Sequence, residues 1–232
     1  MIGIQHINRL DGLRGLAFIF VILSHADNVG LVFFPGYFFG GGASQLGVRI
    51  FFILSAFLLS LQFFSIKRYD YSFLFSYLSR RFLRIYPIYI LFLILFVYIF
   101  SLEHLYLKSG FFSYFFLDKS AAHFWTVNVE FKYYFFLPLV CYITVKLGLK
   151  NSTILTVLIV TIFAFARTNY EGRFMVHSKS LWTSIDFFIT GTYLAYFYSI
   201  SRHKDSEFSN HNRFASSLVW ISLVLLFILI PL

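Results

Sequence analysis

Cysteine occurs once in this chain, at Cys141, so neither an internal disulfide nor a multi-cysteine metal site can form, and no metal is expected. Charge is scarce as well. Charged residues make up 12% of the 232 positions, about half of what a soluble domain carries to cover its surface. Acids are the scarcer sign, with 10 Asp and Glu against 19 Lys and Arg, for a net charge of +9. Internal repeats and low-complexity linkers are missing. No secretory signal is seen either: the N-terminus opens with Gln5, His6, Asn8, Arg9, Asp11 and Arg14, and no small-residue cleavage site follows the first apolar run.

What is plentiful is apolar and aromatic. Apolar residues reach 59% and aromatics 23%, including 34 Phe and 16 Tyr, and the mean hydropathy is +0.77. With so little polar surface, the fitting solvent is a lipid bilayer. In that setting the basic excess reads as positive-inside bias and not as a nucleic-acid footprint.

Seven apolar runs cover residues 13–34, 50–66, 85–102, 133–145, 151–166, 181–201 and 214–232. A span needs about 20 residues to cross about 30 Å of hydrocarbon, so each run borrows polar residues at its ends. The expectation is an all-α, polytopic transmembrane helical bundle of about seven spans, forming a single membrane-embedded domain over 1–232. Alternating the spans from a cytoplasmic N-terminus puts twelve Lys and Arg inside and five outside, with Arg49 and Lys132 at membrane depth. The glycine-rich segment 36–47 reads as an outer turn. The segment 103–124 reads as the longest outer connection, with its aromatic stretch 111–116 along the interface. The last run stops at Pro231-Leu232 without a polar anchor, as if the chain were cut off.

Ionisable side chains at membrane depth cost roughly 2.5–3.5 kcal/mol each, which marks them as functional candidates. They are His25, Asp27, Arg49, Glu130, Lys132 and Asp186. Arg14 and His25 are eleven residues apart, so a helix returns them to within about 20° of one face, about 16.5 Å apart along its axis. Asp11 shares that face with Arg14. A mid-membrane histidine can act as a general base, or can simply hydrogen-bond a neighbouring helix. Arg80-Arg81-Phe82-Leu83-Arg84 opens the third helix. Arg81 and Arg84, one turn apart, suit bidentate phosphate binding, but hydropathy alone favours plain positive-inside anchoring. Trp125 is a belt residue leading to Glu130, which either faces a cation on another helix or snorkels to water. Asp186 is an isolated acid near Ser184.

Four blocks together resemble the acyltransferase family 3 membrane proteins, which include O-acetyltransferases of surface glycans. The first is Arg9-Leu10-Asp11-Gly12-Leu13-Arg14-Gly15 followed by His25. The second is 47–58, which contains Ser55. The third is Arg80-Arg81-Phe82-Leu83-Arg84-Ile85-Tyr86-Pro87. The fourth runs from Trp125 to Glu130, with Phe135 and Pro138 downstream. They stand in family order across residues 9–138. The chain departs from the family pattern at Arg49, where Asp is usual, at Ala56 for Gly, and at Phe131 for a second acid. The family typically has about ten helices, so the resemblance implies that a C-terminal portion is missing.

The resemblance implies transfer of an acyl group, usually acetyl, from cytoplasmic acyl-CoA to a hydroxyl of a membrane-associated carbohydrate. It points to an inner plasma-membrane location. Acyl-CoA would be a donor substrate, with no tightly bound cofactor. His25 would be base or acyl carrier, Arg14 would orient the thioester, and Arg81 and Arg84 would hold the CoA phosphates. Glu130 would orient His25 or bind sugar hydroxyls. Asp11, Trp125, Ser55 and Asp186 are further candidates. The expected partners are the bilayer, acyl-CoA and the carbohydrate, with no nucleic acid. A transporter or flippase of a lipid-linked substrate, or an inactive fragment of an acyltransferase, are the competing readings. A transporter predicts inverted repeats, and none is visible.

Overall fold

The computed structural model describes residues 8–28, 30, 42–65, 70–100, 125–169, 181 and 183–203. The regular secondary structure among the described residues is all helical, with no strand. The five helices are α1 (Asn8–Asn28), α2 (Gly42–Phe64), α3 (Tyr71–Phe100), α4 (Trp125–Asn169) and α5 (Ile185–His203). The segment 103–124 and the seventh apolar run, 214–232, lie outside the described residues.

Among the described residues, two helices contain stretches long and apolar enough to cross a membrane. They are Ser44–Phe64 and the 42-residue Trp125–Ala166. The second would be about 63 Å long if straight, twice the hydrocarbon thickness. It is not straight. Gly148 has φ 71° and ψ 174°, a left-handed backbone that interrupts the helix. Lys146 and Lys150 flank the break. Large apolar side chains such as Phe18, Ile88 and Phe165 are exposed on α1, α3 and α4, as expected where the surroundings are lipid.

Two boundaries differ from the sequence reading. Residues 42–47 are the first turns of α2 and not part of a turn. Glycine serves there as a contact surface: a Cβ on Gly47 would stand 2.5 Å from the Ala17 carbonyl oxygen and 2.7 Å from Val21 Cγ2 on α1. The third helix begins at Tyr71 and not beside the arginine block. Asp70 stands at its N-cap position, and its carbonyl accepts the first bonds, from the N–H groups of Phe73 at 3.0 Å and Leu74 at 3.1 Å.

By contact density the chain divides into two compact units. One contains α1, α2, α4 from Leu137 onward, and α5. The other contains α3 and α4 up to Phe136.

In the first unit α2 packs against both α1 and α5. Its pairing with α5 is parallel. Phe52 stacks on Phe188 at 4.6 Å, Ile53 and Ala56 meet Gly191, and Phe64 meets Tyr196 at 5.3 Å. Contacts thus advance toward the C-terminus on both helices. Buried polar groups tie the packing together. The Ser60 hydroxyl donates to Thr192 Oγ1 at 3.0 Å and is also hydrogen-bonded to buried Cys141 of α4. Thr153 and Tyr193 share a hydroxyl–hydroxyl bond of 2.5 Å.

In the second unit Tyr89 and Leu93 of α3 form a small core with Val127 and Phe131 of α4. Phe82 stacks on Tyr86 at 4.4 Å, and Phe131 approaches both rings.

Candidate active site

The first unit holds one set of candidates. α1 is continuous from Asn8 to Asn28, so Arg14 and His25 lie on one uninterrupted helix with the eleven-residue spacing intact. Arg14 Nη1 meets Asp11 Oδ1 at 3.5 Å, and both side chains are exposed. An exposed pair of this kind contributes little to stability, and its value is to fix the guanidinium direction. His25 is half-buried. Ser24, its chain neighbour, is fully buried, and its hydroxyl finds no hydrogen-bond partner among the described residues. Ser24 follows Ala17 and Val21 along one stripe of α1, the stripe on which Gly47 of α2 rests.

Arg49 of α2 is half-buried. Its Nη2 donates to Gln45 Oε1 at 3.1 Å, and its guanidinium carbon stands 5.4 Å from the centre of the Phe187 ring. That is cation–π distance. Asp186, beside Phe187, is fully buried in the first turn of α5, where the helix N-terminus favours a carboxylate. Ser55 is half-buried on α2.

The second unit holds the rest. Trp125 and Glu130 occupy the first two turns of α4, and both are half-buried. Asn128 between them is buried, and its Oδ1 finds no partner among the described residues. The arginine block sits well inside α3, not at its opening, because the helix starts at Tyr71. Its arginines do not share one environment. Arg80 and Arg84 are exposed, whereas Arg81 is half-buried and lines a cavity of about 380 Å³ with Ser79, Phe131 and Tyr134. Arg81 precedes the apolar run that begins at residue 85. Burial lowers its pKa from the ordinary arginine value, Tyr134 and Tyr77 oppose the shift, and Arg84 and Arg80 add to it.

Among the described residues no cluster of His, Cys, Asp and Glu could hold a metal ion. Ser24 and Asn128 were missed by sequence reading. Their signal was a polar residue beside a candidate inside an apolar run, and only burial separates such a residue from a surface one. Lys67, Arg68, Lys108, Lys119, Arg173, Lys179, Lys204 and Arg213, used in the topology count, lie outside the described residues.

A family model described as an acyltransferase domain matches residues 7–232. The chain belongs to acyltransferase family 3. Membership assigns it acyltransferase activity, and the family together with the two long apolar helices marks it as a membrane protein. No curated protein and no solved structure matches the chain. In this acyltransferase, Arg14 and His25 on α1, the arginines of α3 and Glu130 of α4 all fall within the matched residues.

Proposed function

We propose that this family 3 acyltransferase transfers an acyl group, acetyl in the simplest case, from cytoplasmic acyl-CoA to a hydroxyl of a membrane-associated or cell-surface carbohydrate. The observation that carries the reading is the unbroken α1, which places Arg14 and His25 on one face. A sugar hydroxyl is a poor nucleophile and needs a base within hydrogen-bond reach. His25 takes the hydroxyl proton as the oxygen attacks the thioester carbonyl. The C–S bond then breaks, and the imidazolium returns the proton to the departing sulfur, giving an ester and free CoA thiol. His25 acting as a transient acyl carrier gives the same products in two steps. Arg14, directed by Asp11, stabilises the developing negative charge. Arg84, exposed on α3, supplies the positive charge that holds the CoA phosphates. Glu130 binds hydroxyls of the acceptor.

The topology proposed with it is a cytoplasmic N-terminus in the inner membrane and about seven spans. The parallel pairing of α2 and α5 supports the number of spans. Two spans that run in the same direction need an odd number of crossings between them. The helices α3 and α4 supply three if α4 crosses twice, turning at Gly148 between Lys146 and Lys150.

The test is transfer itself. Membranes containing the full chain, given labelled acetyl-CoA, should move label into an alkali-labile ester on a carbohydrate fraction. Label recovered only as free acetate, or only in protein, would reject the carbohydrate acceptor.

A further inference from the structure

We propose that the cavity of the second unit, walled by α3 and the start of α4, binds an anionic phospholipid, with its phosphate on Arg81 and an acyl chain along the aromatic lining. The proposal goes beyond the transfer reaction and does not depend on it.

The cavity has the two halves that such a molecule requires. Its walls are hydrocarbon, and large apolar side chains stand open around it. Phe75 is 75% exposed, Leu83 68% and Phe135 57%. In water such a surface would invite aggregation, whereas beside a bilayer it is wetted by lipid chains. Against this wall Arg81 is the one charged group among the described lining residues, accompanied by the hydroxyls of Ser79 and Tyr134. Among the described residues, the groups acting on its charge are two phenols and two further arginines. Three arginines within five residues therefore create a positive field beside an apolar slot. Basic pockets at the ends of spanning helices take up phosphate headgroups for this reason.

The same wall is poorly matched to a wholly polar anion. Inorganic phosphate would gain the guanidinium and leave the aromatic surface bare. Arg84 is exposed and absent from the lining, so the two arginines can serve different phosphates. Arg84 is free to face a soluble donor while Arg81 serves the lipid.

The experiment uses the full chain purified in a neutral detergent. Thermal unfolding and native mass spectrometry are followed with added phosphatidylglycerol, phosphatidylcholine or inorganic phosphate. Phosphatidylglycerol should raise the unfolding midpoint and remain bound, and neither of the others should. Arg81→Gln should weaken phosphatidylglycerol binding about tenfold, the size expected for loss of a charge-assisted bond. Arg84→Gln should weaken it much less. Leu83→Trp, at an open position on the rim, should displace the chain with the charge intact. Equal stabilisation by phosphatidylcholine, equal protection by phosphate alone, or an Arg81→Gln protein that retains phosphatidylglycerol as before would each overturn the proposal. Acyl-CoA affinity measured on the same samples reports separately on the donor reading.

Discussion

Ser60 and Thr192 are 132 positions apart in sequence, yet their hydroxyls meet at 3.0 Å in a fully buried contact between α2 and α5. In hydrocarbon neither hydroxyl has water to fall back on, so the bond selects one register for the parallel pair. Combining Ser60→Ala with Thr192→Val should show a coupling of about 0.6 kcal/mol, the mean for such bonds in membrane proteins. Equilibrium unfolding of the two single variants and the double variant would measure it. Strict additivity would mean that the bond does not hold the register.

Glycine positions separate sharply. A Cβ on Gly191 would collide with the Ile53 carbonyl and stand 2.8 Å from Ala56 Cβ. Gly191→Ala should therefore destabilise by about 1–3 kcal/mol, as overpacking does, and Gly47→Ala should behave alike. Gly12 and Gly15 of α1 have nothing within 4 Å of an added Cβ. Alanine at either should be neutral or stabilising by up to about 1 kcal/mol, the helix-propensity difference. Thermal denaturation of the four variants tests the contrast.

The double crossing of α4 is open to labelling. The native Cys141 is buried, so a Cys141→Ala background allows new cysteines to be read one at a time. Asn151→Cys should be reached from the cytoplasmic side only, and a cysteine placed near residue 170 from the outside only. The reverse pattern, or labelling of both from one side, would remove the turn at Gly148 from the membrane topology.

Donor binding is expected to depend on Arg84. Arg84→Ala should weaken acyl-CoA binding by about tenfold or more, and added salt should mimic the defect. Arg84→Lys should recover part of the affinity, because lysine keeps the charge and loses the bidentate fork. Calorimetric titration of acyl-CoA into the detergent-solubilised variants gives the comparison.

Much of this architecture was legible in the sequence, because hydropathy and the arginine blocks are both long-range patterns. The helical class, the continuity of α1 from the arginine motif to His25, and the break between Lys146 and Lys150 could all be read. The start of α2 could not. Glycine at 42 and 47 carries the same letter in a turn and in a tight helix crossing, and only the partner, Ala17, distinguishes the two. The start of α3 at Tyr71 was obscured because hydropathy discounts arginine, which is a good helix former. Asp70, a favoured N-cap residue, was the signal that could have recovered it. Arg81 and Arg84 look equivalent at one-turn spacing. Their different exposure arises largely from Phe131 and Tyr134 of α4, which no spacing rule along α3 brings to one of them. The parallel pairing of α2 with α5 is likewise a tertiary fact, built from Phe52, Gly191 and Thr192.

The most direct test of the account is acyl transfer by the His25→Gln protein, with insertion and acyl-CoA binding measured on the same preparation. Glutamine retains hydrogen-bonding capacity and can neither take up a proton near neutral pH nor carry an acyl group. The account predicts normal membrane insertion, normal acyl-CoA affinity and no detectable transfer, with His25→Ala equally inactive. A His25→Gln protein that transfers the acyl group at a rate near that of the unmodified chain would contradict it and leave His25 as a helix-packing residue.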